Sequence, residues 1–401
     1  MLFDALWAEL EEIGRDPHSG GYRRFAWTRE DLLLREWFAG HCQELGLEVV
    51  EDRAGNQWAW WGDPDQAPGV VTGSHLDSVP DGGAFDGPLG VVSALAAVAE
   101  LRERGIVPRR PLGVVNFADE EGARFGVACG GSRILTGVLD ADRARSLRDA
   151  QGVTLAEAWR RAGRDPEGLG PDPQALRRVA AVVELHVEQG RALDRLEQDA
   201  PVGIGTGIWP HGRWKVDLEG RADHAGTTAL EDRDDALLKA AELIRAVRRR
   251  AEGRDGEQGR LVATVGRLAV VPGGINAIAS HVTAWLDARG EEETAVRTLV
   301  HELEQEAAAL GGTVRQESWT PATSFDGALI ERLATTLGGV PQLGTGAGHD
   351  AGILANYGIP AAMLFVRNPT GVSHSPAEHA ERSDCLAGVD ALTRALADLV
   401  G

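Results

Sequence analysis

Hydrophobic residues recur along the chain with two different periods, and these periods predict its helices and strands. Apolar positions three or four residues apart indicate helices, and short alternating or continuous apolar runs indicate strands. The predicted helices cover residues 2–14, 31–45, 88–104, 231–251 and 292–310, a segment beginning near Asp326, and residues 384–399. The predicted strands cover residues 47–50, 57–61, 69–72, 112–117, 179–185, 212–219, 261–270, 281–288, 313–317 and 360–366.

The order of these elements changes twice along the chain. In the first and last parts, apolar strands alternate with helices, which is typical of an α/β sheet whose site lies at the strand ends. In the middle part the order is β-α-β-β-α-β, as in ferredoxin-like domains. We therefore predict an α/β fold with two domains. One domain covers 1–210 and 326–401 and has a mixed, largely parallel sheet flanked by helices, and a ferredoxin-like α+β domain over 211–325 interrupts it.

The charge balance narrows the range of partners. The 401 residues include 41 basic and 61 acidic side chains, which gives a formal net charge of −20. Nucleic acid binding needs a basic surface, so this excess of acid argues against a nucleic-acid partner. A small anion could still bind at a local positive centre. No apolar run approaches the roughly 20 residues that span a bilayer, so we expect no membrane partner.

Cysteine usage and the first residues favour a reducing compartment. Cys42, Cys129 and Cys385 are widely spaced and form no CxxC pair, which argues against a disulfide framework. The first residues, MLFDALWAELEEIG, have no basic region and no long apolar core, unlike a signal peptide. We therefore predict a cytoplasmic protein.

The strongest chemical signal is a histidine followed by two aspartates. His75 follows a predicted buried strand, and Asp77 is two residues further on, so an extended chain places both side chains on one face. A carboxylate at that position can accept the second ring N–H of a metal-bound histidine. Asp86 lies in the glycine-rich segment GGAFDGPLG, and its two oxygens are able to bridge two cations.

Three further signals follow later strands. Glu120 and Glu121 come after one apolar strand, His186 ends another, and His374 lies in the loop GVSHSPAEH. Adjacent carboxylates repel each other, and bound cations relieve that cost. Each of these residues alone is common on protein surfaces, but three strands that all end in potential ligands predict a metal site. Imidazole and carboxylate ligands without thiolate favour Zn²⁺, with Mn²⁺, Co²⁺ or Ni²⁺ as alternatives.

The ordered motifs resemble a known family. GSHLDSVPDGGAFDG, FADEEGARFG, ELHVEQG, GRADHAGTT, PGGINAIAS, GAGHDAG and SHSPAEH occur in this order between about residues 70 and 380. They are similar to motifs of the dinuclear zinc amidohydrolases, which include N-carbamoyl-L-amino acid hydrolase, allantoate amidohydrolase and β-ureidopropionase. This group belongs with the aminoacylase and carboxypeptidase superfamily.

The resemblance implies specific roles for the candidate residues. It implies that the first domain is catalytic and holds two divalent metal ions. It also implies that the second domain is a lid through which two copies of the chain form a homodimer. Glu120 would be the general base that acts on a metal-activated water, and Asp77 would support His75. The implied metal ligands are His75, Asp86 as the bridge, Glu121, His186 and His374.

The resemblance also implies substrate contacts. Gln189 in the EQG segment would face the ureido group, and His224 in ADHAGTT would stabilise the oxyanion from a neighbouring subunit. Asn276 and Arg289 would hold the substrate carboxylate, a role that suits the planar guanidinium fork. The segments WPHGRW, RNPTGVSHSP and LDARG depart from the family pattern, and they leave the exact substrate open.

These features together predict a metal-dependent amidohydrolase. The expected substrate is a small anionic ureido acid, with allantoate and N-carbamoyl-L-amino acids as the main candidates. An N-acyl amino acid deacylase or dipeptidase of the same superfamily is the first alternative. A non-catalytic metal-binding assembly protein is the second, and the presence of Glu120 counts against it.

Overall fold

The computed structural model describes residues 2–254, 256 and 259–401. The chain divides into two compact units, of which the first comprises Met1–Gly207 and Ser324–Gly401 and the second comprises Ile208–Thr323. None of the described helices has the length and apolarity needed to cross a membrane.

Twelve α-helices and thirteen strands form the described structure. The helices are α1 (Leu2–Leu10), α2 (Arg29–Glu44), α3 (Pro88–Glu103), α4 (Gly130–Leu135), α5 (Ala141–Ser146), α6 (Leu155–Arg161), α7 (Pro173–Arg177), α8 (Ala236–Glu252), α9 (Glu293–Ala309), α10 (Gly327–Leu337), α11 (Asp350–Tyr357) and α12 (Arg382–Val400). The strands are β1 (Glu48–Glu51), β2 (Gln57–Trp61), β3 (Gly69–His75), β4 (Leu112–Phe117), β5 (Val179–Val187), β6 (Val202–Ile208), β7 (His211–Glu219), β8 (Leu261–Val271), β9 (His281–Gly290), β10 (Gly312–Thr320), β11 (Thr323–Ser324), β12 (Gln342–Thr345) and β13 (Ala361–Val366).

The first unit is built on one mixed sheet of nine strands. Its order is β1-β2-β4-β3-β5-β13-β6-β11, and β12 pairs with β6. The four central strands β4, β3, β5 and β13 are parallel neighbours, whereas β1, β2 and β6 pair in the antiparallel direction. Helices α3 and α12 pack against the central strands. The predicted α/β fold with a mixed sheet is therefore confirmed, and parallel pairs join its central strands.

The register of the parallel strands explains where the polar side chains meet. His75 at the end of β3 pairs with Phe117 at the end of β4, and His186 near the end of β5 pairs with Phe365 of β13. The carboxyl ends of these strands therefore lie at the same edge of the sheet, where α/β folds place their sites.

Helix α3 begins immediately beside that edge. Pro88 occupies its first turn, a position where proline costs no helical hydrogen bond. A Cβ on Gly90 would lie 2.2 Å from the carbonyl oxygen of Leu185 and 2.7 Å from Cβ of Ser74. The helix therefore approaches β3 and β5 more closely than a larger residue at position 90 would allow.

The second unit has the predicted β-α-β-β-α-β order. Its antiparallel sheet has the order β10-β7-β9-β8, which in chain order within this unit is strand four, one, three, two, the ferredoxin-like arrangement. The helices α8 and α9 pack against this sheet, and their apolar faces share two buried clusters with it. The ferredoxin-like part of the predicted fold is thus confirmed.

Several element boundaries differ from the sequence predictions. The first helix ends at Leu10 rather than at residue 14. Helix α8 begins at Ala236 rather than at residue 231, because Asp235 caps it by accepting hydrogen bonds from the amides of Leu237 and Leu238. The apolar pattern missed β6, β11, β12, α4 and α11. It also missed the short helices α5 to α7, which lie in a polar stretch without clear periodicity.

Candidate metal centre

Five of the predicted ligands meet at the carboxyl edge of the sheet. They form two groups whose ligand atoms lie within 4.8 Å of one another, and the two groups share one carboxylate. The first group contains His75, Asp86 and His186, and the second contains Asp86, Glu121 and His374. These residues are spread along the sequence from position 75 to position 374, and the fold brings them together.

Asp86 presents its two oxygens to different histidines. Its Oδ1 lies 3.2 Å from Nε2 of His186 and 3.7 Å from Nε2 of His75. Its Oδ2 lies 3.5 Å from Nε2 of His374, which is also 3.5 Å from Oε2 of Glu121. One carboxylate thus joins both groups, as a bridging ligand does.

The hydrogen bonds of the two buried histidines favour a metal on the other ring nitrogen. Nδ1 of His75 lies 3.1 Å from the carbonyl of Asp77, and Nδ1 of His186 lies 2.9 Å from the carbonyl of Val187. A carbonyl only accepts, so each Nδ1 donates, and each Nε2 can offer its lone pair to a cation when the ring is neutral. Within the described part of the chain, both Nε2 atoms are buried without a hydrogen-bond partner.

The distances between candidate ligand atoms also suit a cation. Two atoms that each lie about 2.0–2.1 Å from a tetrahedral ion are about 3.3 Å apart. The four separations from Nε2 atoms to carboxylate oxygens, 3.2 to 3.7 Å, are close to that value, and three of them exceed the length of a good hydrogen bond. The nitrogen and oxygen donors therefore fit two divalent ions.

Unusual backbone conformations shape the site. Asp119, directly before the paired glutamates, has φ of 54°, and His374 also has φ of 54°. Both lie in the left-handed region, which is uncommon for non-glycine residues and is often found at functional sites. Gly87 has φ of 86°, and a Cβ there would lie 2.4 to 2.6 Å from three ring atoms of His75. Glycine at position 87 is therefore required for both conformation and space.

Asp77 connects one histidine to the paired glutamates. Its Oδ1 accepts the amide of Glu120 at 3.1 Å and its Oδ2 accepts the amide of Glu121 at 3.0 Å. The same Oδ1 is 3.5 Å from Nδ1 of His75. The carbonyl of Asp77 is thus the nearer partner of the ring, and its carboxylate mainly orients the backbone of the glutamates.

Burial of so many carboxylates shifts their pKa values strongly. Burial raises the pKa of Glu120 well above its ordinary value, although the nearby His75 opposes the shift. Burial and the neighbouring Asp86 raise the pKa of Glu121 to about 8. Burial opposes the charge of Asp86, yet His186 and His75 hold its pKa well below the usual range. Such a cluster of acids is what divalent cations neutralise.

Gln189 also contacts the shared carboxylate. Its Nε2 donates to Oδ2 of Asp86 at 2.7 Å, so its side chain lies at the site rather than in solvent. Its Oε1 is buried and has no hydrogen-bond partner among the described residues. An acceptor that lacks a donor beside the proposed metal ligands is suited to a substrate N–H.

The other predicted substrate residues lie in the second unit. The exposed residues His224 and Asn276 are neighbours, because Ala225 donates its amide to the carbonyl of Asn276 at 3.0 Å. Arg289 lies near the end of β9, where Nε and Nη2 donate to the two oxygens of Asp287 at 2.7 and 3.0 Å. The structure therefore groups two of these residues and places Arg289 in an ion pair.

Two residues of the site have no role assigned by the sequence patterns. His349 is buried, and its ring centroid lies 4.6 Å from that of His186. Glu378 is buried beside the segment of Asp86, and burial raises its pKa to about 7. Both lie within quoted motifs, GAGHDAG and SHSPAEH, but only the fold shows their distance from the ligands.

Known proteins are similar to this chain along nearly its whole length. Residues 71–398 match the model of peptidase family M20/M25/M40. The chain is 40% identical to the N-carbamoyl-L-amino acid amidohydrolase of Geobacillus stearothermophilus, with 97% of this chain and 96% of that protein covered. It is 32% identical to the allantoate amidohydrolase of Bacillus subtilis, with 93% and 92% covered.

A solved structure extends the similarity to the fold. A hydantoinase/carbamoylase family amidase from Burkholderia multivorans matches with a TM-score of 0.84 and 30% sequence identity. The match covers 100% of this chain and 97% of that one. These matches confirm the family resemblance that the motifs indicate.

Proposed function

Since the chain belongs to peptidase family M20/M25/M40, we propose that it is an amidohydrolase that cleaves a C–N bond of an N-carbamoyl or ureido acid. Allantoate and N-carbamoyl-L-amino acids are the candidate substrates, in agreement with the activities for which two similar proteins are named. The observation that carries the proposal is the pair of ligand groups that share Asp86.

We propose that the two ligand groups hold two divalent ions. His75 and His186 would bind one ion and Glu121 and His374 the other, with Asp86 between them. Two such ions would polarise the ureido carbonyl and lower the pKa of a water molecule to about 7. The donor set favours Zn²⁺, and Mn²⁺, Co²⁺ and Ni²⁺ remain alternatives.

Glu120 is the residue that we propose as general base. It is buried, and its Oε2 lies 3.7 Å from Nε2 of His75, so its carboxylate is beside the proposed metals. There it would accept the proton of the attacking water and deliver it to the leaving nitrogen. Asp77 would fix the position of Glu120 through the amide hydrogen bond.

Substrate binding would use four further residues. Gln189 would bind the ureido group, and His224 would stabilise the oxyanion of the tetrahedral intermediate. Asn276 and Arg289 would bind the substrate carboxylate. The guanidinium of Arg289 would then be shared between that carboxylate and Asp287, or released by Asp287. We further propose a homodimer formed through the second unit, with each His224 acting in the partner subunit.

A cytoplasmic location is proposed on the cysteines. Cys42, Cys129 and Cys385 are all free and buried, and buried free thiols are typical of reducing compartments. A direct check is the fate of the full chain after cell fractionation.

The test is a substrate panel with the purified protein. Hydrolysis of a terminal carbamoyl group would yield the free amine, carbon dioxide and ammonia, so released ammonia is measured after loading with Zn²⁺ or Mn²⁺. The panel contains allantoate, N-carbamoyl-L-amino acids and their D-enantiomers, with N-acetyl amino acids and dipeptides for comparison. We expect ammonia only from ureido acids.

Two other outcomes would redirect the proposal. Cleavage of N-acetyl amino acids or dipeptides without ammonia from any ureido acid would select the deacylase or dipeptidase alternative. Metal binding without turnover of any compound would favour a non-catalytic protein.

A further inference from the structure

Two irregular segments carry ligands of the proposed metal centre, and one buried carboxyl group joins them. The segment between β3 and α3 carries Asp86, and the segment before α12 carries His374. Neither ligand is part of a strand or helix, so no regular ladder of hydrogen bonds fixes its position. Glu378 follows His374 by four residues and is only 5% exposed.

Glu378 reaches the Asp86 segment directly through one carboxyl oxygen and through a serine hydroxyl with the other. Oε1 accepts the backbone amides of Phe85 at 2.8 Å and of Asp86 at 2.9 Å. Oε2 lies 3.3 Å from Oγ of Ser373, and that hydroxyl lies 3.0 Å from Oδ2 of Asp86. The carboxyl group of Glu378 therefore reaches Asp86 by its main chain directly and by its side chain through one hydroxyl.

The packing around Glu378 leaves little freedom. A Cβ on Gly83 would lie 2.4 Å from Cβ of Glu378 and 2.5 Å from its Oε1. Glycine at position 83 therefore lets the Asp86 segment lie directly against the glutamate, which holds two distant parts of the chain in contact.

We propose that Glu378 is a positioning residue for Asp86 and so for both proposed metal ions. The inference rests on the proposed function, because it assigns Glu378 a task only if Asp86 bridges the ions. A bridging carboxylate must present each oxygen to a different ligand group, and a rotation about its side chain would lose one of them. Groups that orient metal ligands through hydrogen bonds change metal affinity 10–100-fold when they are altered.

The geometry separates the reach of the side chain from its charge. Glu378→Gln keeps Oε1 as an acceptor for both amides, and the new NH₂ group can donate to Oγ of Ser373. Glu378→Asp keeps the charge but shortens the side chain by one methylene, about 1.5 Å. Because the proposed role is hydrogen bonding over a fixed distance, Glu378→Gln should still position Asp86, and Glu378→Asp should not.

The experiment compares metal binding by the full chain and its variants. Zn²⁺ affinity and stoichiometry are measured by competition with a chromophoric chelator, and the visible spectrum is recorded after Co²⁺ loading. We expect Glu378→Asp to bind Zn²⁺ about 10–100-fold more weakly, with a changed Co²⁺ spectrum. Glu378→Gln and the control Glu331→Asp, which shortens an exposed glutamate of α10, should match the unchanged protein.

Two results would overturn the inference. One is unchanged affinity and an unchanged spectrum in Glu378→Asp, and the other is a glutamine variant as weak as the aspartate variant, which would show that hydrogen bonding over the right distance is not sufficient without the charge. Should Glu378→Asp not fold, Ser373→Ala tests the same connection through its hydroxyl, and unaltered Zn²⁺ binding there would count against the inference. Failure of the unchanged protein to bind two ions would instead overturn the metal centre itself.

Discussion

Gly87 shows how a single position can set the geometry of the proposed centre. Its φ of 86° and its contact with the ring of His75 both exclude a side chain. We predict that Gly87→Ala displaces the ring and weakens Zn²⁺ binding by at least about tenfold. Affinity is measured by chelator competition.

A matched control separates this displacement from backbone strain. Gly105 has φ of 69° and no heavy atom within 4 Å of an added Cβ. Gly105→Ala should lose about 1–2 kcal/mol of stability to the left-handed conformation but keep normal metal affinity. Equal affinity losses in the two variants would refute a local contact.

Glu120 provides the residue test of the proposed chemistry. Glutamine at position 120 retains size but cannot take up a proton, so we predict that Glu120→Gln lowers kcat by about 10²–10⁴-fold. Metal content should stay at the level of the unchanged protein, because Glu120 is not in either ligand group. Steady-state ammonia release and elemental analysis measure the two quantities, and unchanged turnover would remove Glu120 from the mechanism.

At this scale, some roles are visible in the sequence and others are not. Histidines and acids that follow apolar strands can be predicted to meet, and the ligand groups contain those residues. The contacts of Glu378 are backbone amides that lie 293 and 292 residues earlier. An amide has no sequence signature, so no pattern of residue types predicts this partner.

At the scale of elements, helix α3 depends on a close approach to the sheet. A methyl group on Gly90 would meet the backbone of β5 at 2.2 Å, and backbone relaxes less readily than a side chain. We predict that Gly90→Ala lowers the free energy of unfolding by about 1–3 kcal/mol. Gly40 in α2 is exposed, with nothing within 4 Å, so Gly40→Ala should instead raise it by about 0.5–1 kcal/mol.

Urea unfolding of both variants measures these opposite effects. A stabilised Gly90→Ala would mean that α3 can move away from the sheet without cost. The pair thus tests packing against helix propensity within one protein.

Strand β6 shows why some elements escape prediction. Its sequence, VGIGTGI, has glycines where a periodic pattern needs side chains. A Cβ on Gly203 would meet Leu343 and Leu193, and a Cβ on Gly205 would meet Met363 and Phe365. Side chains from neighbouring elements fill the space beside these glycines. The residues that favour a strand here therefore lie outside the strand itself. By contrast, the six residues of β4 are all buried and apolar enough to be predicted with the same bounds.

At the scale of the whole molecule, the net charge of −20 includes carboxylates buried around the proposed metal centre, and it says little about the charge of the substrate. Several buried carboxylates have raised pKa values, among them Glu121 and Asp350 at about 8, each because of burial and a neighbouring acid. Two divalent ions would offset this repulsion, and ligands that bind only the folded state stabilise it by mass action.

Chelation should therefore lower the stability of the protein. At a free metal concentration 100 times its Kd, each site contributes about 2.7 kcal/mol, so we predict a lower melting temperature after treatment with EDTA. Zn²⁺ or Mn²⁺ should restore it, whereas Ca²⁺, which prefers oxygen ligands, should not. Identical melting curves with and without chelator would argue against metal binding by the folded chain.

The exposed edge of the second unit bears on the proposed homodimer. Strand β8 is the last strand of its sheet and pairs only with β9 in the described part of the chain. It is rich in apolar residues, and Val262, Leu268 and Val271 are 44%, 41% and 52% exposed. An open apolar edge invites pairing with another chain, and a second copy of this chain presents the same edge. The same edge on two copies permits a closed two-fold contact.

A charge on that edge should therefore disrupt the proposed dimer. We predict that Leu268→Lys shifts the mass measured by light scattering from dimer towards monomer, because lysine on an edge strand opposes edge-to-edge pairing. Gln316→Lys places the same charge on an exposed position of β10, the opposite edge, and should leave the dimer intact. If His224 acts in the partner subunit, only the Leu268 variant should also lose ammonia release, and its activity should recover as protein concentration rises. A monomeric unchanged protein, or a Leu268→Lys monomer with full activity, would contradict the action of His224 in a partner subunit. His224 would then act in its own subunit or have no part in the reaction.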